Sequence, residues 1–515
     1  MSRAVAHGFL ADIGAALGID VRRVRFTGTG VLAGPYPMTD LGAACLAGAG
    51  AAVAGLVAEA SRVSGEGGAG GAGGAGGAGG VRETSGVTGA GGARRVVTVD
   101  RALATGLFHR AARPLRAATR SPFHPMSRDF PTADGRWIRF QANYPHLRAA
   151  ALAVLGTGED GAAIASVVAS AKADELEAAV IAGGGAAAAS RTPQEWAAHP
   201  QGAAVAAEPL VAIAETDRRD ASRRDTGRGG AGRGDDGWRE TGTSGRDGGW
   251  RPVPERPLAG LRVLDLTRVL AGPMATRLLA GFGAQVLRVD PPGYDEPNGI
   301  GTGDLTLGKR CAALDLKTAD GRASFAGLLA GADLLVHGLR PGALDDLGLD
   351  QDTRQAISPG LIEVTLNAYG WTGPWAGRRG FDTLVQNSAG LALAGGAWAG
   401  TGTPYRWPLS ILDHSAGYLM AAAAIAAVTR RARTGHGSVS RVSLARVAHW
   451  LASGPAQDDE PPLELPLAGP LEAAVYDSPA GLVRRLRWPM RVSGIPFRFD
   501  RPGDPFGSSV PGWIG

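Results

Sequence analysis

Cysteine is scarce in this chain, which has 515 residues but only two cysteines, Cys45 and Cys311. The two lie far apart in sequence and lack the close spacing of metal ligands, so we predict no bound metal. Few cysteines and no disulfide framework are typical of a reducing compartment, and we therefore expect a cytoplasmic protein. Both cysteines are interpreted as small apolar fillers of a core.

A strong charge of one sign is also absent. Lys and Arg total 53 and Asp and Glu total 48, which gives a formal net charge of +5. The arginines are scattered rather than gathered into a basic stripe, so nucleic-acid binding is disfavoured. The N-terminus lacks the apolar core and cleavage site of a signal peptide. Residues 41–58 are uncharged but consist mostly of Ala and Gly, so we predict a buried helix and no membrane contact.

Glycine, by contrast, is abundant, with 80 residues, and much of this excess is local to two stretches. Residues 65–92 form a Gly-Ala tract, and residues 216–256 are rich in Arg, Asp, Gly, Ser and Thr. Neither stretch has enough apolar surface to offset the entropy of ordering, so both are predicted to be disordered. The first stretch lies within an N-terminal region, 1–127, which is followed by a small α+β domain, 128–215. The second stretch links that domain to a large domain, 257–450, and a C-terminal tail, 451–515, follows.

The large domain opens on a β-α-β pattern in residues 260–292. An apolar run at 262–266 predicts a buried strand, Pro273 suits a first helical position, and 285–289 predicts a second strand. Strands alternate with helices over the rest of the domain, so we expect a doubly wound, Rossmann-like parallel sheet. The turn after the first strand lacks Gly-x-Gly-x-x-Gly, which disfavours NAD and FAD. From the pattern alone, an α/β unit without any ligand is an equally good interpretation.

The chain also contains an internal repeat. Residues 35–62 and 407–433 share a proline-containing approach, an aspartate, a long Ala-rich helix, a glycine turn and then a strand. Asp40 and Asp413 occupy the same place in the two copies. We therefore interpret residues 1–127 as a degenerate partial copy of the large domain.

Asp413 is the residue in the large domain best placed for chemistry. It stands directly before a long apolar helix, where an aspartate is most often a plain N-cap. The same position stabilises the carboxylate as an anion, which is the form that a nucleophile requires. Asp40 is interpreted as a cap. His414 is adjacent to Asp413 but points elsewhere on a helix, so a joint acid–base role is disfavoured.

Several motifs of the large domain, taken together and in order, resemble the family III CoA-transferases of the CaiB/BaiF type. They are Leu-Asp-Leu-Thr-Arg-Val-Leu-Ala-Gly-Pro at 264–273, Gly-Lys-Arg at 308–310, Arg-Pro-Gly at 340–342, Gly-Trp-Thr-Gly-Pro at 370–374, Arg-Gly-Phe-Asp at 379–382, and Asp413-x-x-x-Gly417. The resemblance covers about 257–450, and residues 128–213 resemble the smaller domain of that family.

The resemblance implies a function in which Asp413 is the nucleophile. An acyl-CoA would give a mixed anhydride and then an aspartyl-CoA thioester, from which a carboxylic acid accepts CoA. The substrates are a CoA thioester and a carboxylic acid, with no metal or tightly bound cofactor. Cations and turn amides suit a phosphorylated ligand. The implied CoA contacts are Arg268, Val269, Leu270, Ala271, Lys309, Arg310 and Arg340. A solvated strand edge is the alternative for Lys309 and Arg310.

Two other functions remain open. Racemases of the same superfamily place a histidine where Phe381 stands, and phenylalanine cannot carry a proton, so racemisation is disfavoured. A non-catalytic acyl-CoA-binding paralogue is the third hypothesis, suggested by the degenerate N-terminal copy. The resemblance implies a homodimer, although the N-terminal copy could replace a partner's segment in a monomeric pseudo-dimer.

Overall fold

The structure, a computed structural model, describes residues 3–66, 95–109, 112–115, 123–216, 250, 252–296, 302–457, 459–467, 471–477 and 481–514. Most of the predicted disordered tract, residues 67–92, and of the predicted linker, residues 217–249, lies outside the described residues.

The described helices, in chain order, are α1 Ala4–Leu17, α2 Met38–Glu66, α3 Arg101–His109, α4 Pro145–Leu155, α5 Gly161–Ala169, α6 Ala173–Ala182, α7 Pro193–Ala198, α8 Pro200–Ala207, α9 Ala271–Gly281, α10 Thr302–Leu305, α11 Ala319–Ala330, α12 Gln351–Ile357, α13 Asp382–Ser388, α14 Leu391–Trp398, α15 Ile411–Thr434 and α16 Leu444–Ala452.

The described strands are β1 Val24–Thr27, β2 Val97–Asp100, β3 Ala112–Pro114, β4 Asp129–Pro131, β5 Trp137–Phe140, β6 Ala187–Ala189, β7 Ala212–Glu215, β8 Arg262–Leu266, β9 Gln285–Asp290, β10 Lys309–Ala313, β11 Leu334–His337, β12 Ile362–Asn367, β13 Ser438–Ser443, β14 Val483–Arg485 and β15 Met490–Val492.

A seven-stranded sheet forms the centre of the large domain, in the order β10-β9-β8-β11-β12-β13-β7. The strands from β10 to β13 pair in parallel, as predicted from the alternation of strands and helices. Strand β7 pairs antiparallel with β13, where Ser438 faces Glu215. The sequence analysis assigns residues 212–215 to the small domain. In the structure, the backbone N–H and C=O groups of β7 form hydrogen bonds with the edge of β13, which would otherwise be unpaired.

The small domain contains a β-hairpin. Strands β4 and β5 pair antiparallel and β6 completes the sheet. Asp134 and Gly135 lie at the turn, where Gly135 has a φ of +73°, a backbone conformation that favours glycine.

Helix α15 is a long, buried helix in the core of the protein. It packs against α9 on one side and against α2 on another. Met38–Ser61 and Ile411–Thr434 are long and apolar enough to span a membrane, but 83% and 100% of their most apolar windows are buried inside the protein. Both therefore behave as core helices, as predicted for residues 41–58.

The two aspartates of the repeat take equivalent positions. Asp40 is the third residue of α2, and Asp413 is the third residue of α15. The residue at the N-cap of α15 is Ser410, so the cap role considered for Asp413 is wrong. Asp40 is fully buried and pairs with Arg101 at 2.8 Å. Its interpretation as a cap is also wrong, because Asp40 is the third residue of the helix and its carboxylate faces a buried guanidinium.

The Asp40–Arg101 pair allows a test of its structural role. Arg101 is fully buried and also bonds Glu460 at 2.6 Å. Arg101→Met leaves the buried Asp40 without its cation and should lower the free energy of unfolding by about 3–5 kcal/mol. Denaturant unfolding measures this change.

The matched control is Arg22→Met, which breaks an ion pair whose side chains are 78% and 47% exposed. We expect a loss of about 0–1 kcal/mol for this variant. Equal losses in both variants would contradict the assigned role of the buried pair.

Candidate active site

A buried cluster of polar side chains supports the turn between β8 and α9 from the protein interior. Lys309 donates to Asp265 at 3.0 Å, to the carbonyl of Pro273 at 3.0 Å and to Thr276 at 2.6 Å. Thr276 and Thr267 both donate to Asp265. Burial opposes ionisation of Asp265, but the charges of Lys309 and Arg288 and these hydroxyls lower its pKa. The cluster therefore fixes the start of α9.

Lys309 does not lie where a CoA contact requires it. Its side chain is fully buried, and protein oxygens accept its hydrogen bonds. The alternative of a solvated strand edge is wrong for the same reason. A sequence containing a lysine beside an arginine suggests exposure, but here the lysine neutralises a carboxylate that lies 44 residues away.

The other cations implied by the resemblance differ in their surroundings. Arg310 donates to the carbonyl of Val510 at 2.8 Å and to that of Gly512, so it binds the C-terminal segment. Arg340 is exposed and pairs with Asp346 at 2.5 Å. Arg268 is exposed at the turn itself, with its guanidinium 4.7 Å from the ring centroid of Tyr294. Of these cations, Arg268 best fits the expected contact with CoA.

The turn carries backbone strain at Val269, which has a φ of +66°. A β-branched residue in this region costs about 1–3 kcal/mol, so the surrounding structure must hold it. The Val269 amide donates to Glu296 at 2.9 Å, and the hydroxyl of Tyr144 donates to the same carboxylate at 3.0 Å. Glu296 thus ties the strained turn to the small domain. Leu270 and Ala271 complete the turn, and Ala271 is the first residue of α9.

A close helix contact brings α15 to this turn. A Cβ at Gly417 would lie 2.3 Å from the carbonyl oxygen of Ala271, a distance that only glycine permits. Asp413 lies one helical turn before Gly417 on the same face. The spacing Asp413-x-x-x-Gly417 therefore seats the aspartate beside the start of α9.

Asp382 is a second carboxylate at this site that sequence reasoning did not assign. Its Oδ2 accepts from the backbone amide of Asp413 at 2.9 Å, and Gln386 donates to its Oδ1. Asp382 is 3% exposed and Asp413 is 8% exposed. Asp382 is the last residue of the motif at 379–382 and the first residue of α13. A motif carboxylate at the start of a helix is the sequence signal that could have identified it as a site residue. Its position 31 residues before Asp413 gave no sign of contact.

The two carboxylates oppose each other's ionisation. Burial and the charge of Asp382 raise the pKa of Asp413 well above its ordinary value. Burial raises the pKa of Asp382 to about 6, against the lowering effect of the Asp413 amide and Gln386. The expectation that the helix N-terminus keeps Asp413 ionised is therefore corrected, because desolvation and a like charge outweigh the helix dipole.

Neither His414 nor Phe381 is suited to act as a base beside Asp413. His414 stacks on Phe108 with ring centroids 4.5 Å apart, and burial lowers its pKa to about 3. Phe381 lies with its ring 5.9 Å from that of Tyr144. Among the residues that the structure describes, no group of three or more His, Cys, Asp or Glu side chains could hold a metal ion.

The fold is an α/β domain in which Asp413 lies beside the start of α9, the helix that follows the first strand of the parallel sheet. Residues 258–465 match the model of CoA-transferase family III. This part of the chain is therefore similar to the family III CoA-transferases.

Curated proteins and a solved structure are similar to parts of this chain. The chain is 34% identical over 207 residues to a probable fatty acyl-CoA transferase of Mycobacterium tuberculosis, covering 38% of this chain and 52% of the relative. It is 35% identical over 206 residues to the succinyl-CoA–D-citramalate CoA-transferase of Chloroflexus aurantiacus, covering 37% and 50%. A crystal structure of a hypothetical protein from Mycobacterium tuberculosis is 32% identical with a TM-score of 0.36, covering 40% and 57%. The chain thus spans about half the length of the curated relatives it matches.

The contact at Gly417 gives a test of how Asp413 is seated. Gly417→Ala places a methyl group against the Ala271 carbonyl and should destabilise the protein by roughly 1–3 kcal/mol. Gly55→Ala is the matched control, because no atom lies within 4 Å of its added Cβ in α2. The control should gain up to about 1 kcal/mol. Thermal unfolding measures both, and a harmless Gly417→Ala would contradict the close contact.

The carboxylate pair gives a second test, through stability. The pKa of Asp382 is about 6 in the folded protein, above about 3.9 in an unfolded chain. The folded state thus binds this proton more tightly, so the cost of ionising Asp382 is absent below about pH 3.9 and complete above about pH 6. Asn keeps an oxygen for the Asp413 amide but cannot ionise. Asp382→Asn should therefore stabilise the protein by roughly 1–2 kcal/mol at pH 8, and much less at pH 4.

Denaturant unfolding at the two pH values measures this difference. Asp352→Asn, at an exposed position in the first turn of α12, is the control and should show no comparable pH dependence. An Asp382→Asn variant that is less stable than the parent at pH 8 would contradict repulsion between the two carboxylates.

Proposed function

We propose that this protein transfers coenzyme A from an acyl-CoA to a carboxylic acid through a covalent intermediate on Asp413. The seating of Asp413 is the observation that carries the proposal. Asp382 accepts from its backbone amide, and Gly417 contacts the start of α9. The carboxylate is thereby placed at the carboxyl end of the parallel strands, where sheets of this kind take ligands.

The first half-reaction consumes the acyl-CoA. Ionised Asp413 attacks the thioester carbonyl, the carbon–sulfur bond breaks, and CoA leaves as a thiolate, which gives a mixed anhydride. The thiolate then attacks the aspartyl carbonyl and releases the donor acid as a carboxylate. An aspartyl-CoA thioester remains on Asp413.

The second half-reaction runs the same steps with the acceptor. The acceptor carboxylate attacks the aspartyl carbonyl and expels the CoA thiolate, and the thiolate then takes the acceptor acyl group. Asp413 is regenerated as a carboxylate. Because the reaction needs its ionised form and its pKa is raised, the rate should increase with pH until Asp413 is ionised.

For CoA itself we propose the turn at residues 268–271, with the exposed Arg268 as the cation nearest the turn. Lys309 acts on this turn from within the protein rather than on the ligand. Arg310 would contact CoA only after breaking its hydrogen bonds to the C-terminal segment. Arg340 would do so only after breaking its ion pair with Asp346.

Trapping tests the covalent intermediate. The protein is incubated with a panel of acyl-CoAs and hydroxylamine, which converts an aspartyl thioester into a hydroxamate, and peptides are mapped by mass spectrometry. We expect modification at Asp413 and none in Asp413→Asn. Asp40 is the internal control, because it is a buried aspartate at the same helical position but is paired with Arg101. Modification at Asp40, or turnover with Asp413 unmodified, would reject the proposed nucleophile.

Racemisation is a second candidate, which the raised pKa of Asp413 favours because a protonated carboxylic acid can donate a proton. Deuterium exchange at the α-carbon of an acyl-CoA, without transfer, would indicate it. CoA binding with neither exchange nor transfer would indicate a binding protein.

We also propose a cytoplasmic protein, supported by free, buried Cys45 and Cys311. The homodimer implied by the resemblance and the monomeric pseudo-dimer are separated by light scattering. Packing of α2 against α15 within one chain favours the monomer.

A further inference from the structure

Glu296 is a buried carboxylate beside the turn between β8 and α9, with 2% of its surface exposed. Its Oε1 accepts from the Val269 amide at 2.9 Å and from Arg288 at 3.2 Å, and its Oε2 accepts from the hydroxyl of Tyr144 at 3.0 Å. Arg288 also pairs with Asp290 at 2.7 Å, so its charge is shared. Glu296 is thus bonded at once by the turn, by strand β9 and by the small domain.

The conformation of Val269 depends on this contact. Val269 is the one described residue other than glycine with a φ in the left-handed region. A β-branched side chain disfavours that region, so Val269 without a partner for its amide would relax toward negative φ. The hydrogen bond to Glu296 offsets this cost. Its loss would change the path of the turn and the directions of Arg268 and Leu270, which flank Val269.

Tyr144 connects this contact to the carboxylate pair. It is the N-cap residue of α4 in the small domain. Burial and the charge of Glu296 raise the pKa of Tyr144, so its hydroxyl stays protonated and donates. Its ring lies 5.9 Å from that of Phe381, the residue directly before Asp382. One side chain of the small domain therefore contacts both the group that holds Val269 and the residue next to Asp382.

We propose that Glu296 and Tyr144 are positioning residues for CoA. Glu296 holds Val269 in its strained conformation and Tyr144 fixes Glu296, so the small domain sets the shape of the turn that binds CoA. The inference rests on the proposed function, which places CoA at residues 268–271. Neither residue needs to touch the ligand, and the Val269 amide, which already donates to Glu296, is not available to it.

A positioning role and a simple charge effect predict opposite results. Removing a carboxylate beside an anionic ligand should, by electrostatics alone, strengthen the binding of CoA, whose phosphates are negative. Loss of the conformation of the turn should weaken it. Glu296→Ala removes both the charge and the hydrogen bonds. Glu296→Gln removes the charge but keeps an oxygen for the Val269 amide and Arg288, so the two variants separate the two effects.

Titration calorimetry of the full chain with free CoA measures these effects. We expect Glu296→Ala to raise the dissociation constant of CoA by about tenfold or more, because CoA binding must then restore the strained turn. Glu296→Gln should keep the affinity of the parent protein or strengthen it. Tyr144→Phe should raise the dissociation constant by about three- to tenfold, which corresponds to the loss of one hydrogen bond.

Two matched controls remove similar groups elsewhere. Glu363→Ala removes a fully buried carboxylate that Arg354 bonds at 2.7 Å. Tyr476→Phe removes a hydroxyl that donates to Glu472 at 2.6 Å. Both should keep the CoA affinity of the parent protein, even where they lower its melting temperature. A loss of affinity is thereby separated from a loss of stability.

Val269→Gly tests the strain itself, because glycine adopts the same φ without cost. In the Val269→Gly background, Glu296→Ala should weaken CoA binding by a smaller factor than in the parent protein. Equal losses in both backgrounds would overturn the inference, as would a Glu296→Gln variant that binds as weakly as Glu296→Ala.

The proposed function and the inference fail in different ways. Parent-like affinity in Glu296→Ala would overturn the inference and leave the proposed site for CoA intact. If Glu296→Ala does not fold, Tyr144→Phe decides, and an unchanged affinity in that variant would overturn the inference. A parent protein that binds no CoA would overturn the proposed function and the inference together.

Discussion

The structure depends on two carboxylates that share one buried site. Asp382 accepts from the backbone amide of Asp413, so the residue that fixes the position of Asp413 also opposes its ionisation. Two like charges this close, with little solvent, cannot both be ionised at low cost. The arrangement lowers stability, and under the proposed function this cost keeps the carboxyl group of Asp413 poised for reaction. A basic carboxylate is also the more reactive nucleophile once it has lost its proton.

The two copies of the internal repeat differ in the group that lies beside their buried aspartate. Asp40 and Asp413 are both third residues of long apolar helices that pack on each other. Asp40 faces the guanidinium of Arg101, which satisfies its charge and holds it in the core. Asp413 faces a second carboxylate instead. The same residue in the same helical position thus pairs with a cation in one copy and lies beside a second carboxylate in the other.

The sequence predicts those strands and helices whose formation depends on the local pattern of apolar residues. The apolar runs at β8 and β9 and the long helix α15 follow from periodicity and composition alone. Contacts between distant segments could not be predicted in this way. The burial of Lys309 depends on Asp265 across the sheet, the pairing of β7 depends on an open strand edge, and the Asp382–Asp413 contact joins two helices. The local sequence around Lys309, β7 and Asp382 does not indicate these distant partners.

The protonation of Asp413 in the free protein tests this account most directly. Infrared difference spectra between the parent protein and Asp413→Asn at pH 7 report the carbonyl stretch of a protonated carboxylic acid. The account predicts that this band is present in the parent and absent in the variant, because Asp382 alone no longer meets a like charge. No such band in the parent, or an equal band in both proteins, would contradict it.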